Sequence, residues 1–282
     1  MLTDTKDVPN PFEQKDKQME LVKEKMANIK HKIAIISGKG GVGKSLVTVN
    51  LAAGLAANGR KGKVAILDAD LTGPCVPKMI GLKGHKMELG PGGIIPAEGP
   101  EGIGVVSMDF LLPNDEAPVI WRGPLKMGAI RQFLGEVAWG KLDYLLVDLP
   151  PGTGDESLSI LQLLPEMDGV VIVTIPSEVS QAVVKKAVTF ARQMKVPIFG
   201  IVENMSGMVC PHCGELIEVF SKGGGAKVSR EMDVELLGSI PMDPQISIDS
   251  DNGVPFINAN PDSPAANIFK IIIEKIEAKV EG

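Results

Sequence analysis

The stretch that most restricts the fold of this chain is GKGGVGKS, Gly38 to Ser45, because of what stands on either side of it. KIAIIS (32–37) is a short β-branched run, and LVTVNLAAGLAAN (46–58) carries apolar residues at helical spacing and is followed by Gly59 as a stop. A strand that turns through glycines directly into a helix is a building unit of α/β proteins. The rest of the chain repeats the alternation. Strands are expected at KVAILDAD (63–70), IGVVSM (103–108), LDYLLVDLP (142–150), GVVIVTIP (169–176), VPIFGIVEN (196–204) and ELLGSIP (235–241). Helices are expected at 124–138 and 264–280, with further helical stretches between the strands. Strands this apolar are covered on both faces, so the predicted class is α/β, a mostly parallel sheet flanked by helices on both faces. Residues 71–101, rich in Gly and Pro, read as a long ordered loop. Residues 1–30 read as an N-terminal arm and a leading helix over 18–30, and residues 31–282 as one domain with no internal boundary.

The glycine loop matches GxxxxGK[ST] in the context that motif needs. Gly38, Gly40, Gly41 and Gly43 let the backbone wrap closely, and the N–H groups of the loop, Val42 and Lys39 included, face phosphate oxygens. The helix that follows adds its dipole to the anion site. Lys44 is expected to neutralise the β and γ phosphates and the Ser45 hydroxyl to ligate Mg²⁺. Carboxylates at strand ends complete the site. Asp148 closes the apolar run YLLVD, and Asp68 and Asp70 end the strand after the loop helix, spaced by two and so read as facing one side. One of that pair would order a metal-bound water and Asp70 would orient the attacking water. Lys39 is a second lysine inside the loop, suited either to solvent or to a nucleotide in a facing protomer.

The charge balance limits the partners. The formal net charge is −6 with no basic block, which argues against nucleic acid. No N-terminal hydrophobic run and no apolar stretch of about 18 residues is present, so neither a signal peptide nor a spanning helix is expected, and the reading is cytoplasmic. The final helix places Ile268, Ile272, Ile276 and Val280 on one face, but its polar face mixes Lys270, Lys275 and Lys279 with Glu274, Glu277 and Glu281. A membrane-surface helix wants a basic face, so docking onto the sheet is the expectation and no membrane partner is assigned.

Three cysteines are too few for a disulfide framework. Two of them, Cys210 and Cys213, form CPHC. Tetrahedral thiolate sites want four ligands, and one chain offers this pair and a distant Cys75. His212 reads as a spacer, and His31 and His85 have no metal-ligand spacing.

Several of these segments together carry a resemblance. GKGGVGKS with Lys39 resembles the deviant Walker A class of P-loop ATPases, which includes the nitrogenase iron protein, the Min cell-division ATPase and the ParA partition ATPases. DADLTGPCVP (68–77), WRGP (121–124), LLVDLPPGTGDESLS (145–159), VENMSGMVCPHCGE (202–215) and FSKGGG (220–225) resemble, in this order, the Mrp-type (ApbC-like) iron–sulfur cluster carriers. That resemblance implies an ATP-binding, slowly hydrolysing homodimer that holds a 4Fe–4S cluster between two CxxC pairs and hands it to apo iron–sulfur proteins. It implies that Lys39 acts across the dimer, that Asp68 and Asp70 lie in one switch and Asp148–Asp155 in another, that Asn204 reads the adenine, and that Pro241 and Asp243 line the base. Zinc in the same four-thiolate site, in a dimeric positioning or regulatory ATPase, is the alternative. A redox dithiol is a weaker one. Cys75 stands where the family often has serine and is expected to be a buried small residue, with a transient ligand near the dimer axis as the other reading.

Overall fold

The alternation read from the chain becomes a single open sheet in the computed structural model, which describes residues 11–71, 73–111, 123–210, 212–213, 215–219 and 223–282. Thr72, Trp121 and Arg122 of WRGP, Pro211, Gly214, Phe220–Lys222 and most of the N-terminal arm lie outside the described residues. Helix α1 (Pro11–Met26) precedes β1 (Ile29–Ser37), and the glycine loop leads into α2 (Lys44–Ala57). Then come β2 (Val64–Asp68), α3 (Val76–Met79), a hairpin of β3 (Glu88–Gly90) and β4 (Gly93–Ile95), β5 (Ala97–Glu98) and β6 (Gly104–Ser107). They are followed by α4 (Gly123–Glu136), β7 (Leu142–Asp148), α5 (Asp155–Leu163), β8 (Gly169–Thr174), α6 (Glu178–Gln193) and β9 (Ile198–Glu203). A small hairpin of β10 (Met208–Val209) and β11 (Leu216–Ile217) interrupts the alternation before α7 (Gly224–Met232) and β12 (Leu236–Ser239). The chain ends with α8 (Pro244–Asn252), α9 (Phe256–Ala259) and α10 (Pro264–Glu281).

The central sheet runs β12-β9-β8-β1-β7-β2-β6-β5, parallel throughout except for β5, which pairs antiparallel with β6. Strand β1 lies between β7 and β8, so the glycine loop leaves from the middle of the sheet. Period-two burial shows both faces covered. Ile33 and Ile35 pack with Val47, Leu51, Phe269 and Ile272 on one side. Ala34 and Ile36 pack with Val22, Phe133, Ile160 and Val184 on the other. Helix α10 docks as expected, burying Ala266, Phe269, Ile272, Ile273 and Ile276. Its outer lysines, Lys275 and Lys279, pair with Glu235 at 3.1 and 2.8 Å. Among the described residues no helix is long and apolar enough to cross a membrane.

Two expectations change. The leading helix ends at Met26, not at residue 30, because Ile29 and His31 pair with Leu142 and Tyr144 in the sheet. Sheet pairing here overrides local helical spacing. Within 71–101 the structure finds α3, the β3–β4 hairpin and β5 where the sequence suggests a loop, since elements of two to four residues are too short to leave a periodic signal.

Candidate nucleotide and thiolate site

The glycine loop is anchored from below and open above. Val42 is buried, while Gly40 and Gly41 face solvent. Gly41 and Gly43 sit at φ 76° and 81°, the left-handed region that a side chain disfavours. Gly43 is the N-cap of α2, and no side chain caps that helix end. Its first amides are therefore available to an anion. Asn204, buried just after β9, donates from Nδ2 to the Val42 carbonyl at 3.0 Å and holds the loop from the side.

Behind the loop, strand register brings the charges together. Asp68 on β2 lies directly opposite Asp148 on β7. The buried Lys44 places Nζ 2.8 Å from Asp148 Oδ2, and Ser45 Oγ donates to the same oxygen at 2.5 Å. Thr48 Oγ1 donates to Asp148 Oδ1 at 2.7 Å. Asp68 accepts from Ser107 Oγ at 3.2 Å and from the amides of Asp70 and Val76 at 3.3 and 3.4 Å. Burial, and then the Asp148 charge, push the Asp68 carboxyl well above the usual range, with Lys44 opposing them. A buried pair of carboxylates served by one lysine is short of positive charge, and a hydroxyl stands beside it. That donor set fits a hard divalent cation of the Mg²⁺ type.

Thr48 and Ser107 were not singled out in the sequence. Thr48 stands four residues after Lys44 on α2 and so shares its face, and Ser107 pairs with Asp68 in the sheet register. Asp70 is not on the strand with Asp68. Strand β2 ends at Asp68, and Asp70 lies half-buried in the turn beyond, so strand alternation does not align the two side chains. Lys39 is half-buried, its carbonyl accepting from Ser37 Oγ at 3.0 Å, and among the described residues no carboxylate pairs with it.

Beside the loop opens a cavity of about 400 Å³. Pro241 and Asp243 line it, with Asn204, Leu46, Met79, Met205 and Met242. Flexible thioethers give flat apolar contact that suits a ring, and single methionines carry no sequence signal for it. Asp243 Oδ1 is engaged with the Gln245 amide at 2.9 Å as the cap of α8. Asn204 lines this wall, but its Nδ2 is engaged by Val42.

The cysteine pair sits on the β10–β11 hairpin, next to the same cavity, which Met208 also lines. Cys210 is half-buried and its amide donates to Glu215 O at 2.8 Å, while Cys213 is exposed. Hydrogen bonds from the Cys213 and His212 amides hold the Cys210 thiol below its usual range, which favours a thiolate ligand. Among the described residues no group of three or more His, Cys, Asp or Glu could hold a metal, so Cys75 does not join the pair. Nor is Cys75 buried, contrary to expectation. It is exposed at the N-terminal cap of the short α3, where no packing layer covers it. Partial desolvation and the nearby charges of Asp68, Asp70 and Asp148 push its thiol up.

A glycine loop between a central parallel strand and a helix, backed by a lysine and two strand-end carboxylates, defines a P-loop nucleoside triphosphatase. Within that class the chain belongs to the family described as ParA: NUBPL iron-transfer P-loop NTPase, whose model matches residues 28–277. It is 55% identical over 261 residues to the iron–sulfur cluster carrier protein of Saccharolobus solfataricus, covering 93% of this chain and 88% of that one. It is 52% identical over 261 residues to the iron–sulfur cluster carrier protein of Methanocaldococcus jannaschii, covering 93% and 89%. Among solved structures it is similar to a nucleotide-binding protein from Archaeoglobus fulgidus in complex with ADP and with cobalt found. The TM-score is 0.76 and the identity 42%, over 88% of this chain and 95% of that one.

Proposed function

We propose that the chain is an ATP-hydrolysing iron–sulfur cluster carrier that holds a labile 4Fe–4S cluster between two copies of itself and delivers it to apo iron–sulfur proteins in the cytoplasm. The observation that carries this reading is half a thiolate site: an exposed CxxC hairpin beside a nucleotide cavity, with no third ligand among the described residues. A two-fold axis through such a hairpin doubles two sulfurs to four, the number a 4Fe–4S cluster takes. The names of the two archaeal relatives support the cargo.

In this reading ATP occupies the glycine loop, with Lys44 on the β and γ phosphates and the base against Pro241, Asp243 and Asn204. Ser45 would hold Mg²⁺, with Asp148 and Asp68 behind it, and the ion supplies charge neutralisation of the transferring phosphoryl group. Asp70 orients water, and Lys39 reaches the nucleotide of the facing protomer. Hydrolysis is slow because ATP serves as a switch on dimer geometry. The net charge of −6 and the docked α10 leave no nucleic-acid or membrane partner in the scheme.

The test is anaerobic purification and reconstitution with iron, sulfide and zinc counted on one sample. The expected result is about four iron and four sulfide per dimer with a broad visible band, lost in Cys213→Ala while ADP binding persists. A Cys213→Ala protein that keeps wild-type iron would sink the bridging site. A colourless protein with about one zinc per dimer that resists reconstitution would replace cargo with a structural staple.

A further inference from the structure

Glu203, the last residue of β9, is 2% exposed, and the chemistry above makes no use of it. Its carboxylate joins two parts of the chain that the cysteine hairpin separates. Oε1 accepts from Ser206 Oγ at 2.8 Å, where the chain leaves for Cys210, and from Ser239 Oγ on the neighbouring β12 at 3.4 Å. Oε2 accepts from the amide of Gly225, in the first turn of α7, where the chain returns from Cys213. The approach at Gly225 is close enough to exclude a side chain: a Cβ there would lie 2.8 Å from Oε2. A carboxylate at the amino end of a helix lies where the helix dipole favours an acceptor.

The same residue is one bond from the nucleotide site. Asn204 holds the glycine loop through Val42. On the outgoing arm, the Ser206 amide donates to Ile240 O at 2.8 Å and the Met242 amide donates to Gly207 O at 2.7 Å, and Met242 lines the base cavity. The outgoing arm is thus stitched to the segment after β12, whose Met242 lines that cavity. The returning arm is tied to that same root through Glu203 and Gly225.

We propose that Glu203 is a positioning residue that clasps both arms of the cysteine hairpin and carries nucleotide occupancy to Cys210 and Cys213. This rests on the function proposed above only in taking a nucleotide to occupy the glycine loop. A ligand that shifts Asn204 or Met242 moves the hairpin root, and the clasp makes both arms follow, so the spacing and accessibility of the two thiols change together.

The test uses the full chain, reduced and metal-free, carrying Cys75→Ser so that only Cys210 and Cys213 react. The rate of thiol reaction with a chromogenic aromatic disulfide is measured with and without a non-hydrolysable ATP analogue. In the protein with Glu203 intact, the analogue is expected to change the rate by about fivefold or more. In Glu203→Gln, which keeps the shape and removes the charge, that ratio falls below about twofold while the Kd for the analogue stays within about twofold. Should Glu203→Gln not fold, Ser206→Ala removes a single hydrogen bond to the clasp and is expected to lower the ratio in the same direction. A ratio unchanged by Glu203→Gln, or by Ser206→Ala where that variant stands in, overturns the proposal, as does no nucleotide effect with Glu203 intact. Because no metal is present, the result is separable from the cargo. A chain that takes no iron yet keeps a Glu203-dependent ratio retains the clasp and loses the carrier reading.

Discussion

Gly43→Ala tests whether the loop is held by backbone conformation alone or also by Asn204. Gly43 sits at φ 81°, and an added Cβ would stand 2.2 Å from Asn204 Nδ2. Two costs add. A non-glycine residue in the left-handed region costs roughly 1–2 kcal/mol. Displacing Asn204 breaks its 3.0 Å bond to the Val42 carbonyl and leaves that buried acceptor without this partner, roughly a further 1 kcal/mol. The total is roughly 2–3 kcal/mol. Gly41→Ala is the internal control. It has φ 76° and nothing within 4 Å of an added Cβ, so it carries the conformational cost alone. Urea unfolding of the two variants should show a lower midpoint at unchanged slope for both, with Gly43→Ala the lower by about 1 kcal/mol. Gly43→Ala should also weaken ADP binding by about tenfold or more, since a 1.4 kcal/mol loss in the cradle is a factor of ten. Combining Gly43→Ala with Asn204→Ala removes the clash, so the double variant should be less destabilised than the sum of the two by roughly 1 kcal/mol. Equal costs at Gly41 and Gly43, together with strict additivity of the double variant, would refute the idea that Asn204 braces the loop.

Asp68→Asn should make the protein more stable at neutral pH and at the same time abolish turnover. The sign follows from the raised carboxyl. The folded state keeps the Asp68 proton to higher pH than the unfolded chain does, so folding stability falls as pH rises from the ordinary carboxylate range toward the raised folded value. In Asp68→Asn that decline should disappear from thermal melts taken across the window, and a decline that persists would assign it elsewhere. Phe269→Ala, at a fully buried position on α10, should cost roughly 3–5 kcal/mol in chemical denaturation. ADP affinity of the folded fraction should not change, because α10 packs under the sheet and lines no part of the nucleotide cavity.

The sheet was legible because its strands are apolar runs and the segments between them carry helical spacing, so the fold class and seven of the strand positions follow from composition and spacing. The boundaries were less so. Ile29 continues a helical pattern by sequence and is strand by pairing, a choice made by Leu142 more than a hundred residues away. The glycine loop was legible down to single residues, since phosphate chemistry demands those types at that spacing. Asp148 was legible as a strand-end carboxylate. What it bonds was not, because Thr48 and Ser107 enter through helix face and sheet register. The methionines that line the cavity beside the loop have no motif at all, and their gathering there follows only from where β9, β12 and α3 end. Cys75 was misjudged from size: a small residue is often buried, but the N-terminal cap of a helix as short as α3 has no layer above it.

Buried carboxylates root both the thiol pair and the glycine loop at the same edge of the sheet. Burying a carboxylate costs several kcal/mol unless donors surround it. Yet Asp68, Asp148 and Glu203 are all buried at the carboxyl ends of parallel strands. Each is satisfied by groups from other segments: Asp148 by Lys44, Ser45 and Thr48 of the loop helix, Asp68 by Ser107 and the turn to α3, and Glu203 by the two arms of the cysteine hairpin. Apolar packing would have stabilised these strand ends at lower cost. Carboxylates there instead tie the loop helix, the turn after β2 and the hairpin each to its own strand end, because moving any one of them leaves a buried carboxylate short of donors. A ligand that takes over one of those donors, as a phosphate would take Lys44, leaves the Asp148 carboxylate short of it. The half-buried Cys210 and the exposed Cys213 sit between the two arms that Glu203 joins.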